Sequence, residues 1–113
     1  MLNEIDLWKK VDVEEPMEAA CAERVYRALK AICHPLRVKI IQTLGDGELC
    51  VRDLVARTGT SQSSISQHLG ILHDKRIVAS RKEANLVYYR VPDLRIHQLI
   101  AMMGIVFCMR GQH

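Results

Sequence analysis

A mainly helical domain carrying a β-hairpin and a last helix is the fold this sequence predicts, and three observations carry the prediction. Hydrophobic residues make up 49% of the 113-residue chain but aromatic ones only 4%, so the core is built from Leu, Ile, Val, Met and Ala, which favours helices. Apolar residues recur at three- and four-residue spacing through successive stretches ahead of Lys75. Beyond Lys75-Arg76 the texture turns β-branched and aromatic around a polar turn, after which helical spacing returns.

Residues 1–15 show no sustained period and read as an acidic N-terminal segment whose order the sequence leaves open, while residues 16–110 read as one domain. Pro16 is placed to open a first helix, because proline is tolerated at the first helical position, and Cys21, Val25, Leu29 and Ile32 then share a face. His34-Pro35 restarts the chain. Leu36, Ile40, Ile41 and Leu44 mark a second helix that stops at Gly45-Asp46-Gly47. A third helix starts near Cys50, with Val51, Leu54 and Val55 inward and Asp53 placed to satisfy free amides of its first turn. Gly59 then turns the chain. Thr60 or Ser61 caps a fourth helix with an apolar back of Ile65, Leu69 and Leu72 and with Gln62, Ser63, Ser66 and Gln67 on its other faces. Residues 77–81 and 86–91 form a hairpin about a turn at Lys82-Glu83-Ala84-Asn85. Pro92 ends it, and Asp93 caps a last helix over residues 94–109. That helix is apolar over most of its circumference, and a domain this small buries only part of its surface alone, so a partner surface is expected.

Charge and cysteine usage narrow the function classes. The net charge is only +3, yet residues 1–23 hold Glu4, Asp6, Asp12, Glu14, Glu15, Glu18 and Glu23 against Lys9 and Lys10. Residues 52–90 instead hold Arg52, Arg57, Lys75, Arg76, Arg81, Lys82 and Arg90, so the second half is where phosphate would bind. No apolar run approaches the roughly 20 residues of a membrane-spanning helix, and no signal-peptide core is visible, so a cytoplasmic protein without membrane contact is expected. Cys21, Cys33, Cys50 and Cys108 then read as reduced thiols rather than a disulfide framework. No Cys-x-x-Cys pair and no nucleophile, base and orienting group are recognisable by spacing, so an enzyme is not expected.

Taken in order, α-α-α-α-β-β-α describes a winged helix-turn-helix. Four segments, Cys33-His34-Pro35-Leu36-Arg37, Gly47-Glu48-Leu49-Cys50-Val51, Ser61-Gln62-Ser63-Ser64-Ile65-Ser66-Gln67-His68-Leu69 and Val87-Tyr88-Tyr89-Arg90-Val91, give the chain a resemblance to the ArsR/SmtB family of bacterial repressors over roughly residues 20–110. That resemblance implies a homodimer paired through its first and last helices, which binds double-stranded operator DNA and releases it when an inducer binds. The residues themselves suit such a role. Gln makes paired hydrogen bonds to adenine and Ser contacts several base edges, so Gln62, Ser63, Ser64, Ser66 and Gln67 are the expected base-reading set. His68 either joins them or closes the helix contact beside Leu69. Arg81 and Lys82, at the hairpin tip, are expected to meet the phosphate backbone or adjacent minor groove.

For the thiols, the resemblance implies more than one site. The family's arsenic sensors are similar in carrying a Cys-x-Cys pair at the start of the third helix; here Cys50 is present but Arg52 and Val55 stand where further ligands occur, so As(III) or another soft metal ion would need Cys21 or Cys33. Its zinc sensors join the last helices through an Asp-x-His pair, whereas this chain has Asp93 followed by Arg95, with Val106 and Met109 further on; Asp93 reads instead as a cap and His97 as an ordinary polar position. Its sulfur and oxidant sensors are similar to Ile105-Val106-Phe107-Cys108, but Gln42 occupies the usual partner position, which leaves Cys33, Cys50 or Cys21. Independently, a thiol at a helix N-terminus beside Arg52 is disposed to react with soft metals and electrophilic sulfur, with Asp53 opposing. The expected function is a repressor controlled by these thiols; the alternative is a winged-helix protein-interaction module with structural cysteines.

Overall fold

The computed structural model describes residues 15–109. Most of the expected acidic segment, residues 1–14, and residue 110 at the far end of the expected domain lie outside them.

Helix α1 spans Ala19–Ile32, so Pro16 does not open it; Glu18 stands at its cap in extended conformation, with no side-chain hydrogen bond. The proline sits in a stretch with no capping side chain behind it, and winding starts at the alanine pair, which carries no such constraint. On the expected face of α1, Cys21 and Leu29 are half-buried, Val25 is 38% exposed and Ile32 only 1%. Helix α2, Pro35–Leu44, begins as expected. His34 caps it by accepting from the Leu36 amide at 3.1 Å, Pro35 fills the first turn, and the helix ends on Gly45 at φ 55°.

A two-residue strand, β1 at Leu49–Cys50, follows, which sequence periodicity does not indicate. Helix α3 spans Val51–Thr58 and ends on left-handed Gly59, φ 71°, a conformation that glycine adopts without steric cost. Helix α4 spans Gln62–Asp74, and of the two expected caps it is Ser61 that accepts from the Ser64 amide, at 3.3 Å. The wing strands are β2, Ala79–Glu83, and β3, Leu86–Arg90, antiparallel about a two-residue turn at Ala84-Asn85, and the sheet order is β1-β3-β2. β2 therefore runs two residues further than the sequence suggests. Lys82 and Glu83 are exposed on an edge strand, where alternation of apolar and polar side chains is not required.

Helix α5, Arg95–Gly104, continues into a π-helical turn, Ile105–Met109, rather than one α-helix to the end. Gly104 supplies no side chain to hold the winding, and β-branched Ile105 and Val106 follow it, a combination that loosens the i to i+4 ladder. Leu94 occupies the cap position and Asp93 stands one residue before it; the Asp93 carboxylate still accepts from the Arg95 amide at 3.0 Å, and the hydrogen bonds from Arg95 hold its pKa down at about 2. His97 is more than a polar surface position, because its Nε2 meets the Gly45 carbonyl at 2.8 Å and fastens α5 to the end of α2.

The core lies where the helices meet the base of the wing. Ile32 from α1, Ile40 and Ile41 from α2, Leu54 from α3 and Ile65, Leu69 and Leu72 from α4 are all essentially inaccessible, and Val78, Val91 and Ile100 close it from the wing and α5. Burying each of these side chains contributes about 1.5–3 kcal/mol against exposure, so the back of α4 is held firmly against α2 and α3.

Candidate nucleic-acid interface

Helix α4 is polarised as its spacing implies. With Ile65, Leu69 and Leu72 in the core, Gln62, Ser63, Ser66 and Gln67 are left exposed. Gln62, Ser66 and Ser63 rise in turn around the outward arc, with Gln67 beyond them, so donors and acceptors for base edges stand on a helix that cannot roll without breaking the core. Ser64 lies partly covered at the flank, its amide tied to Ser61.

His68 does not stand with this set. Its Nδ1 accepts from Arg37 Nε at 3.2 Å, its ring lies 4.5 Å from that of His34, and Arg37 also donates to the Ala31 carbonyl at 2.7 Å. Burial first, then the charges of His34 and Arg37, push the His68 pKa below the ordinary histidine value. Of the two sequence expectations for His68, the geometry therefore matches the helix contact. Arg37 is the residue that periodicity missed. It sits in a segment singled out by its motif, but its side-chain partner, His68, is 31 residues away and leaves no local trace.

The wing places its cations differently from expectation. The tip is Ala84-Asn85, with Ala84 at φ 54°, and both Arg81 and Lys82 lie below it on β2. Lys82 is exposed and makes no ion pair among the described residues. Arg81 is bound to Glu48 and Glu83 and lies over the Tyr88 ring. Between α3, the start of α4 and the wing runs an open cleft of about 500 Å³, lined on its polar side by Arg52, Gln62 and Asn85 and on its apolar side by Val51, Val55, Leu86 and Tyr89. Arg52 is exposed and also free of ion pairs among the described residues, a second cation near the reading helix.

The thiols are dispersed over one chain. Cys50 caps α3 through its backbone, is 3% exposed and donates its thiol hydrogen to Asp53 at 3.2 Å. Cys33 is exposed at the end of α1, Cys21 half-buried within α1, and Cys108 exposed in the π-helical turn. Among the described residues no three His, Cys, Asp or Glu side chains are grouped as ligands for a metal ion.

A helix with a locked apolar back and an exposed polar front, preceded by a short helix and a turn and flanked by a hairpin, defines the winged helix-turn-helix class of DNA-binding regulators. The sequence matches the family described as bacterial regulatory protein, arsR family, over residues 34–80. Across 111 residues it is 34% identical to a biofilm growth-associated repressor of Agrobacterium fabrum, covering 96% of this chain and 95% of that protein. HlyU from Vibrio cholerae has a similar structure, with a TM-score of 0.69 and 35% identity over 81% of this chain and 99% of that one. So has the homodimeric winged helix-turn-helix DNA-binding domain of a possible ArsR-family regulator of Mycobacterium bovis, with a TM-score of 0.69 and 27% identity over 85% of this chain and 89% of that one. The chain belongs to the arsR family of bacterial transcription regulators, as the four sequence segments imply.

Proposed function

We propose that this regulator is a homodimeric repressor that reads operator DNA with α4 and the wing and is controlled by its thiols. The observation that carries the reading is the exposed arc of Gln62, Ser63, Ser66 and Gln67 on a helix whose back is fixed in the core. Ser64 joins them from the flank, and Lys82 supplies the wing's contact with phosphate. Homodimer pairing is supported by the apolar side chains that one chain leaves uncovered on or just before α1 and the last helix: Met17, Val25 and Tyr26, and Leu94, Leu99, Ile105, Val106 and Phe107. Action on the chromosome places the protein in the cytoplasm; no helix of the described residues is long and apolar enough to cross a membrane.

Control by reactive sulfur or oxidant is the thiol chemistry the exposed positions favour, since Cys33 and Cys108 are open to a reagent while Cys50 is buried and hydrogen-bonded. Two protein thiols and an alkyl persulfide give a protein disulfide, the alkyl thiol and hydrogen sulfide, with both electrons passing to the persulfide. A soft ion such as As(III) would instead need thiolates brought together from two chains. The deciding experiment combines DNA release with intact mass on the wild type and the four single Cys→Ser variants. Release by persulfide, with a loss of two mass units that dithiothreitol reverses and that Cys108→Ser or Cys33→Ser abolishes, is the expected result. Release by As(III) alone, abolished by Cys50→Ser, would replace it with the metal mechanism. DNA binding that ignores every reagent makes the thiols structural.

A further inference from the structure

A basic side chain on a wing is the ordinary partner of a phosphate, but the guanidinium of Arg81 is already engaged on three sides. Its Nε donates to both carboxylate oxygens of Glu48, at 3.0 and 2.9 Å, and Nη1 donates to Glu83 at 2.9 Å. The guanidinium carbon stands 4.8 Å from the centre of the Tyr88 ring. The Arg81 guanidinium thus faces two carboxylates, which neutralise it as a partner for a polyanion.

The placement of the partners gives the bridge a mechanical meaning. Glu48 directly precedes β1, Arg81 lies on β2, and β3 runs between those strands. Tyr88 on β3 pairs with Cys50 on one side and with Arg81 on the other. The Arg81–Glu48 bridge therefore spans the sheet from one edge strand to the other and ties the outer strand of the wing to the segment that leads into α3. The other side-chain hydrogen bond from β2 to the helices among the described residues is at its base, where Ser80 meets His73 at 3.1 Å. Among the described residues, what else holds β2 at the level of Arg81 is its backbone ladder to β3 and the stacking of Arg81 on Tyr88.

We propose that Arg81 is a positioning residue for DNA binding: through Glu48 it sets the angle of the wing against the duplex, and the phosphate contact is made by its neighbour Lys82. The assignment rests on the DNA-reading function proposed above. Both side chains of the bridge are substantially solvent-accessible, so it adds little to global stability, and its effect falls on where the wing stands.

The test uses the full chain and a duplex that the wild type selects from a random-sequence pool, with affinity measured against KCl concentration. Each phosphate contact contributes about 0.9 to the slope of log affinity on log salt. Arg81→Ala is expected to weaken binding about tenfold with the slope unchanged, whereas Lys82→Ala lowers the slope by about one contact's worth. Glu48→Gln separates the two roles by sign. A positioning bridge is weakened and affinity falls; an Arg81 that contacts phosphate is released and affinity rises. The exchanged pair, Glu48→Arg with Arg81→Glu, rebuilds the bridge with reversed polarity and is expected to recover most of the lost affinity, which no phosphate contact at position 81 would allow. Thermal melts within a few degrees of the wild type show that the variants are folded. A slope reduced in Arg81→Ala, tighter binding by Glu48→Gln, no rescue by the exchange, or no change in affinity at all overturns the assignment while leaving the DNA reading intact. A wild type that enriches no duplex overturns both.

Discussion

Replacing Leu69 by alanine and Gln67 by alanine puts two cuts into one helix, two residues apart, with opposite expected consequences. Leu69 is 1% exposed among Ile40, Ile41, Leu54, Ile65 and Leu72, a set with no polar atom for water to satisfy. Leu→Ala removes three carbons, about 2.4 kcal/mol at ~0.8 kcal/mol per buried methylene, and the cavity left behind brings the cost to about 3 kcal/mol. For a domain of this length the melting temperature should fall by roughly 15 °C, at about 5 °C per kcal/mol. Gln67 is exposed and holds up nothing, so Gln67→Ala should stay within about 0.5 kcal/mol of the wild type in stability. Its effect should appear on DNA instead, as a loss of about 1–3 kcal/mol, or roughly five- to 150-fold, on a duplex selected by the wild type. Thermal melts at one fixed protein concentration and fluorescence anisotropy with that duplex measure the two quantities separately. Equal melting shifts in the two variants, or a Gln67→Ala protein that binds as the wild type does, would refute the division of α4 into a structural back and a reading front.

The remaining expectations concern the edges of this frame. Burial first, and then electrostatic repulsion from the His34 and Arg37 side chains, keep His68 below its unfolded pKa, so the folded state resists its protonation; stability is full above pH ~6.5 and is lost as pH falls from there through the folded pKa. Melts from pH 7.5 to 5.5 should therefore drop less in His68→Asn, whose amide oxygen can still accept from Arg37, and equal drops would sink this account. Ala84 occupies left-handed backbone at φ 54°, so Ala84→Gly should raise stability by about 0.5 kcal/mol, the net of ~1 kcal/mol of relieved strain and glycine's added chain entropy; an unmoved or lower urea midpoint would count against it. Leu99→Glu combined with Phe107→Glu should shift the chain from dimer to monomer in sedimentation at micromolar concentration, because these side chains are 39% and 76% exposed in a single chain. A dimer that survives both changes means the seam lies elsewhere.

Much of this architecture is legible along the sequence because it is written in local periods. Ile65, Leu69 and Leu72 announce the back of α4, Gly45 and Gly59 stop their helices, and the β-branched texture after Arg76 announces the wing. What escapes such reading is either too short or too remote to have a period. β1 is a two-residue strand, which no alternation can signal, and it exists because Tyr88 and Tyr89 come to pair with it. The outer reach of β2 carries Lys82 and Glu83, which resemble a turn in composition and are held in register by β3. In the candidate interface, the exposed glutamines and serines follow from the helical period, but Arg37 on His68 and Arg81 on Glu48 join residues 31 and 33 apart. Their chemistry is visible in the sequence; their pairing is a product of the fold.

The hydrogen bond from His97 to the Gly45 carbonyl has a geometric consequence for the paired molecule. Two copies joined along their last helices carry two reading heads, and to enter successive major grooves those heads must stand about one turn of DNA apart, roughly 34–36 Å. In each copy the helix that would form the seam meets the head at the end of α2, through the His97 imidazole and the packing of Ile96, Ile100 and Met103 against the core. A few degrees of rotation at this joint, carried outward along the length of the head, change the separation by ångströms. If the chain pairs along this helix as proposed, the contact would act as a calliper setting for the spacing of half-sites the pair can span.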